Sequence, residues 1–294
     1  MSLSKTTLGS FELYTIETGD FRLDGGAMFG VVPKTLWSRG LPADEKNRIP
    51  MTMRCLLIKS KNTGRVYLID NGAGTKFNDK MRDIYQLDNS SKSLEKSFKE
   101  HGFTFEDVTD LIFTHLHFDH CGGTSFYDDN DELALNFPNA RYHVVDSHWD
   151  NATHPNAREK ASFLPQNIDP IRESGLLNLV KEGHEYEPGL TTVIVNGHTI
   201  GQQLPKIEAN GNTLVFVADL LPTHVHVPLP WVMGYDMYPA QTLDEKNTFL
   251  QQAAEENWNL YLEHDAHEEI IQIEGKDGRF SVSNTMTLNE LNPQ

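Results

Sequence analysis

The run Thr114-His115-Leu116-His117-Phe118-Asp119-His120-Cys121-Gly122-Gly123 constrains this chain more than any other stretch. It sets three histidines and one carboxylate within positions 115–120, straight after the apolar run Leu111-Ile112-Phe113. Such a run reads as the end of a short buried strand. In extended backbone, residues two apart point to the same side, so His115 and His117 can grip one metal ion together. Asp119 and His120 come after the turn, which makes a second ion beside the first geometrically natural. Imidazole nitrogens and a carboxylate oxygen suit zinc, iron or manganese. Gly122-Gly123 lets the backbone fold tightly around the site. A lone histidine is usually a solvated loop residue; three at this spacing behind a buried strand argue for a metal.

The rest of the composition narrows the class. With 294 residues, 38% of them hydrophobic, the chain can bury a sizeable core, and it reads as one domain over 1–294. The formal charge of −17 disfavours a nucleic-acid partner, which asks for a basic face, and equally an anionic membrane. Cys55 and Cys121 suggest no disulfide framework. The apolar core of a signal peptide is missing near Met1, and no apolar run reaches membrane-span length, so the expected location is cytoplasmic.

His-x-His-x-Asp-His behind a strand, intact at 115–120, resembles the signature of the metallo-β-lactamase superfamily. The resemblance extends over roughly Leu56 to His267. It implies an α/β fold, the αβ/βα sandwich, in which two mixed β-sheets pack together with helices outside. It also implies that further ligands lie downstream. Gly197-His198-Thr199 follows the β-branched run Leu190–Val195 and matches the family, although the continuation Ile200-Gly201-Gln202 departs from it. His198 is then the third histidine of the first metal. Asp219 ends the apolar run Thr213–Ala218 and stands where the family has a carboxylate that bridges two cations. His264 follows Asn259–Leu262 at the place of the last ligand, ahead of the nearby alternative His267. The implied set is His115, His117 and His198 on one ion, Asp119, His120 and His264 on the other, and Asp219 between them. The ions are expected to be two divalent metals, zinc foremost, with iron, manganese or cobalt as alternatives. Asp70 ends the strand Val66–Ile69, and its counterpart in the family lies under the metal site, orienting a ligand. A plain turn is the competing reading.

Other elements are read from pattern. Strands are expected at Phe11–Ile16, Met53–Ile58, Val66–Ile69 and 140–145, with a loop from Trp37 to Pro50. Helices are expected over 91–101, 165–179 and 243–258. His143, His148, His154 and His184 lack partners at ligand spacing and read as structural or surface residues. Phe29 and Trp37 lie on an early irregular segment, and His226, Trp231 and Tyr235 follow the bridging Asp; all five are candidates for the wall of a substrate pocket.

These readings point to a metal-dependent hydrolase. The resemblance implies that a hydroxide shared by the two ions attacks a small-molecule lactone, ester or phosphotriester, with Asp119 carrying the proton. A glyoxalase-type thioester hydrolase and a mononuclear-iron persulfide dioxygenase stay open as alternatives. The expected partner is a small-molecule substrate, with a homodimer left open.

Overall fold

A computed structural model of the chain describes residues 4–291. The first sheet is built from β1 (Lys5–Leu8), β2 (Phe11–Asp24), β3 (Arg48–Ser60), β4 (Val66–Ile69), β5 (Asp110–Ile112), β8 (Arg141–Val145) and β9 (Leu177–Val180), in that spatial order. A small hairpin of β6 (Ser125–Tyr127) and β7 (Leu133–Leu135) stands apart. The second sheet runs in chain order through β10 (Leu190–Val195), β11 (Gln202–Ala209), β12 (Asn212–Phe216), β13 (Asn259–Tyr261), β14 (Ile270–Lys276) and β15 (Arg279–Met286). Both sheets are mixed: β4, β5, β8 and β9 pair in parallel, as do β12 and β13, and the remaining ladders are antiparallel.

Period-two burial explains the layers. In β3 and β4, Leu56, Ile58, Tyr67 and Ile69 face the second sheet and meet Leu204, Leu214, Phe216, Leu260 and Ile271. Their neighbours Cys55, Leu57, Val66 and Leu68 face the other way, against Phe98, Ile168 and Ile171 of the covering helices. A strand buried on both faces reads as a continuous apolar run, as Val66–Ile69 does. Each such side chain contributes about 1.5–3 kcal/mol relative to exposure.

The helices are α1 (Gly25–Phe29), α2 (Lys34–Trp37), α3 (Asp79–Tyr85), α4 (Leu94–His101), α5 (Phe118–Cys121), α6 (Asp146–Thr153), α7 (Pro165–Ser174) and α8 (Pro239–Glu255). The helix expected over 91–101 begins at Leu94, because the Ser93 hydroxyl caps the Lys96 amide. The helix expected over 165–179 is shorter. It stops at Gly175 (φ 74°), and Leu177–Val180 becomes the edge strand β9 beside β8. The helix expected over 243–258 starts earlier, on Pro239 at its first position. Strands β11 and β14 have no counterpart among the expected elements. Among the described residues, no helix is long and apolar enough to cross a membrane.

One irregularity positions the site. The strand expected at Phe11–Ile16 continues to Asp24 as half of a long β2–β3 hairpin, which takes in the end of the expected Trp37–Pro50 loop. Its register shifts between Glu17 and Gly19, so Thr18 is the extra residue of a bulge. Beyond the bulge, the edge of β3 that paired with β4 takes up residues 263–265 instead. Arg54 N donates to Glu263 O (2.9 Å) and Thr52 N to His264 O (3.2 Å). The hairpin thus carries the chain from the first sheet onto a loop at the end of β13.

Candidate metal centre

Every proposed ligand follows the C-terminal end of a strand. His115, His117, Asp119 and His120 come after β5, His198 after β10, Asp219 after β12 and His264 after β13. Strand ends gather at one rim of the sandwich, where loops supply chemistry on a rigid scaffold. All seven side chains are buried. Their ligand atoms fall into two groups, His115–His117–His198–Asp219 and Asp119–His120–His264, with each group's atoms within 4.8 Å of one another.

Asp219 stands between the groups. Its Oδ2 lies 3.1 Å from His198 Nε2 and 3.8 Å from His115 Nε2. Its Oδ1 lies 3.1 Å from His264 Nε2 and 3.6 Å from His120 Nε2. One oxygen faces each histidine set, the disposition a bridging carboxylate needs. Asp119 turns Oδ1 to His120 Nε2 (3.9 Å) and Oδ2 to His264 Nε2 (3.8 Å).

The donor set fits two cations. His264 Nε2 and His120 Nε2 face each other at 3.1 Å, and His198 Nε2 faces His117 Nδ1 at 3.2 Å. Two nitrogens bound at about 2.0–2.1 Å to one tetrahedral ion sit about 3.3 Å apart. His115 Nε2 and Asp219 Oδ1, both buried, have no hydrogen-bond partner. Buried polar atoms are normally satisfied, and a cation satisfies these.

The far nitrogen of each ring is held from behind. Thr114 Oγ1 lies 3.0 Å from His115 Nδ1, Asp236 Oδ1 lies 3.0 Å from His198 Nδ1, and the Thr52 carbonyl lies 3.0 Å from His264 Nδ1. His120 Nδ1 meets Asp70 Oδ2 at 3.1 Å and Glu263 Oε2 at 2.9 Å. His117 is held through Nε2, by Glu159 Oε1 at 3.2 Å. Such partners fix the tautomer and the ring orientation. Asp70 also accepts from the amide and hydroxyl of Thr114 (2.8 and 2.6 Å), which ties the end of β4 to the start of the histidine loop.

The electrostatics of the metal-free protein split the rings. Burial, reinforced by the neighbouring His120 and His117, holds His115 well below its ordinary value and therefore neutral. Burial also lowers His117. For His120 burial acts downward too, but Glu263, Asp219 and Asp119 outweigh it and push the ring well above its usual range. Against the same burial, Asp219 and Asp236 push His198 to about 10, and Asp219 and Glu263 push His264 to about 9. Burial raises Glu263 to about 8. The pocket thus concentrates negative charge that two dications would neutralise.

The ligands floor a cavity of about 200 Å³. Its walls include Leu23, Met28, Met51, Tyr85, Phe118, Met233 and Met237, with Tyr235 and Arg158 toward solvent. Of the five pocket candidates read from sequence, Tyr235 lines this cavity. The other four stand behind the wall. Phe29 stacks on His226 (4.3 Å, 6°) and Trp37 (5.1 Å, 11°), and Trp231 meets it edge-on at 5.9 Å. His226 Nε2–H donates to Met28 O at 2.9 Å, so this stack seats Met28, which does face the cavity. The aromatic residues were apolar enough for either place; the short helices α1 and α2 turn Phe29 and Trp37 inward, and His226 and Trp231 pack against Phe29.

Residues 54–264 match the metallo-beta-lactamase superfamily. The chain belongs to that superfamily. Within it, the chain is similar to a probable metal-dependent hydrolase from Staphylococcus aureus, at 28% identity and TM-score 0.84, over 96% of this chain and 98% of that one. It shares the fold of AidC, a dizinc quorum-quenching lactonase solved with its product, at 22% identity and TM-score 0.77, covering 95% and 96% of the two chains. It also shares the fold of the hydrolase AbOPH, at 21% identity and TM-score 0.78, again covering 95% and 96%. No curated protein matches the chain. With a dinuclear His/Asp centre in a metallo-beta-lactamase fold, the chain is a metal-dependent hydrolase.

Glu159, Asp236, Glu263 and Thr52 back the ligands, and none of them was visible as a motif. Only Glu263, adjacent to His264, lay next to a candidate metal ligand. His148, read as structural, is a strap: its Nε2 accepts from Leu116 N (2.8 Å) and its Nδ1–H donates to Ile200 O (2.7 Å), joining the two ligand loops.

Proposed function

We propose that the protein hydrolyses a small-molecule lactone or ester carrying an apolar, unbranched tail. The observation that carries this reading is the placement of Asp219 between two complete ligand groups at the floor of a methionine-walled cavity. Four of the chain's eight methionines, Met28, Met51, Met233 and Met237, line it. Thioether side chains adapt to flexible apolar ligands. A carbonyl at the floor and a chain along this wall suit an acylated lactone, the chemistry that AidC's product complex represents in a relative of the same fold.

His115, His117 and His198 would hold one ion and Asp119, His120 and His264 the other, with Asp219 shared; the two cations, taken to be zinc, would supply an activated water and polarise the carbonyl. The chain's own residues do the rest. Asp119, which lines the cavity, accepts the proton of the attacking water and returns it to the alkoxide oxygen as the carbon–oxygen bond breaks. The apolar walls exclude bulk water and hold the tail, so the carbonyl is presented in one orientation. Two complete ligand groups favour this reading over a single-iron dioxygenase. The cavity's one basic side chain besides histidine, Arg158, is turned to the carbonyl of Gly234, which leaves little to recognise an anionic thiol such as glutathione. The reading includes one domain, no nucleic-acid partner and a cytoplasmic setting, in keeping with two buried, unpaired cysteines.

The test is metal-dependent turnover. Protein loaded with zinc should cleave lactones and esters faster as an unbranched acyl tail lengthens, and Asp219→Ala should abolish the activity. A panel of lactones, esters and phosphotriesters without metal-dependent turnover would overturn the reading.

A further inference from the structure

Four of the five histidines proposed as ligands turn Nε2 toward the ligand cluster and Nδ1 toward a partner behind. His117 is reversed. Its Nδ1 faces His198 Nε2 at 3.2 Å, and its Nε2 points away, to Glu159. A neutral imidazole carries one proton, and whichever nitrogen holds it cannot bind a cation. Something must therefore keep the proton on Nε2 of this ring.

Glu159 lies 42 residues along the chain from His117 and is 2% exposed. Its Oε1 meets His117 Nε2 at 3.2 Å and accepts from the hydroxyl of Thr199. Its Oε2 accepts from Asn151 Nδ2 (3.1 Å) and Asn156 Nδ2 (3.3 Å). Asn151 Nδ2 also reaches Thr199 Oγ1, at 3.2 Å. An ionised carboxylate only accepts, so it demands a proton on the nitrogen it faces. Thr199 is the residue after His198, another of the ligands expected on the same ion. One carboxylate therefore holds His117 directly and the His198 loop through its neighbour. The segment that carries Glu159 also lines the cavity with Arg158, Ala161 and Ser162, and Phe163 packs on the His117 ring at 5.0 Å.

We propose that Glu159 is the positioning residue of the three-histidine site: its carboxylate selects Nδ1 of His117 as the ion-binding nitrogen, and through Thr199 it locks that ring to the His198 loop. The inference rests on the dinuclear reading above. It gives Thr199 of the Gly-His-Thr run a purpose that the ligand set alone leaves unexplained. The second ion's group, Asp119–His120–His264, makes no contact with Glu159 and is expected to be indifferent to it.

The test uses wild-type protein, Glu159→Ala, Glu159→Gln and Thr199→Val, with zinc as the probe. Zinc content after dialysis, competition against a chromophoric chelator and ring nitrogen shifts of ¹⁵N-histidine-labelled protein are measured. Glu159→Ala should retain one ion of two, the remaining ion keeping wild-type affinity. Glu159→Gln, which can still accept through its amide oxygen, should weaken one ion by about 10–100-fold, and Thr199→Val should weaken the same ion less. In metal-free Glu159→Ala, the His117 ring signals should shift toward a mixture of tautomers. A loop anchor with no role in the site would alter the melting temperature and leave tautomer and zinc affinity unchanged, and that result overturns the proposal. Should Glu159→Ala fail to fold, unchanged zinc affinity in Glu159→Gln together with Thr199→Val overturns it equally. Wild-type protein that takes up no zinc would sink the dinuclear reading as well; two tight ions in every variant would sink this inference alone.

Discussion

Asp236 Oδ1 lies 3.0 Å from His198 Nδ1, and its other oxygen accepts from the amide of Met233 at 3.1 Å. A ligand histidine and the methionine wall of the cavity are thus held by one buried carboxylate. Asp236→Ala should weaken metal binding by about 10–100-fold, the usual effect of removing such a partner, and should also raise KM because Met233 loses its anchor. Asp236→Asn retains an acceptor and should do less. Chelator competition, with kcat and KM measured at saturating zinc, separates the two effects.

Metal uptake should release protons. In the metal-free protein His198 and His264 are held at about 10 and about 9, so both are charged at pH 7.5, and a ligand must be neutral to bind. Calorimetric zinc titrations at pH 7.5 in buffers of different ionisation enthalpy should show protons leaving from both rings and from His120, which its acidic neighbours also hold above its usual range. Because the folded values are raised, the charged rings stabilise the metal-free fold fully below the ordinary value of 6.5. That contribution is lost as pH rises through about 9 to 10.

Gly197 sits where β10 ends and α8 begins to cover it. A Cβ here would lie 2.3 Å from Thr242 Oγ1, 2.4 Å from its amide nitrogen and 2.5 Å from its Cα. Two of these are backbone atoms in the first turn of a long helix, which cannot step aside cheaply. Gly197→Ala should cost about 1–3 kcal/mol, as overpacking does, and should displace His198. Urea denaturation and zinc content check the two halves of this expectation.

His226 ties acid stability to the cavity wall. It is buried with Nδ1 accepting from Thr223 Oγ1 at 2.7 Å and Nε2–H donating to Met28 O at 2.9 Å; the first of these bonds requires the neutral ring. Burial lowers its value from 6.5 to about 3. A depressed value means that the stabilisation is complete above pH 6.5 and drains away as pH falls from there toward 3. Chemical unfolding of metal-free protein between pH 7 and 4 should show this slope, and His226→Gln should flatten it.

His115, His117, Asp119 and His120 were legible because the geometry that unites them is local: a strand end, a turn and one short helical turn. His198, Asp219 and His264 were legible because each closes an apolar run, and the resemblance said what to look for there. The strands Val66–Ile69 and Leu190–Val195 declared themselves through unbroken or β-branched apolar character. β11 did not, since Gln202, Gln203, Pro205 and Lys206 interrupt its pattern, and the helix that ends at Gly175 looked longer because Leu176 and Leu179 continued its apolar spacing.

What the sequence by itself determined, then, is the family, the ligand types and the ends of the strands that carry them, because those depend on residues a few positions apart. Only the tertiary structure decided which groups stand behind the ligands and which face the substrate. Glu159 and Asp236 are two carboxylates among 42 acidic residues, and nothing local distinguishes them from solvated ones. They acquire their places because crossovers of dozens of residues return the chain to the same rim. Met28, Met51, Met233 and Met237 converge for the same reason, from a short helix, the far half of a bulged hairpin and the loop before α8. Contact between segments so distant is set by how two sheets close on one core, and no spacing along the chain encodes it.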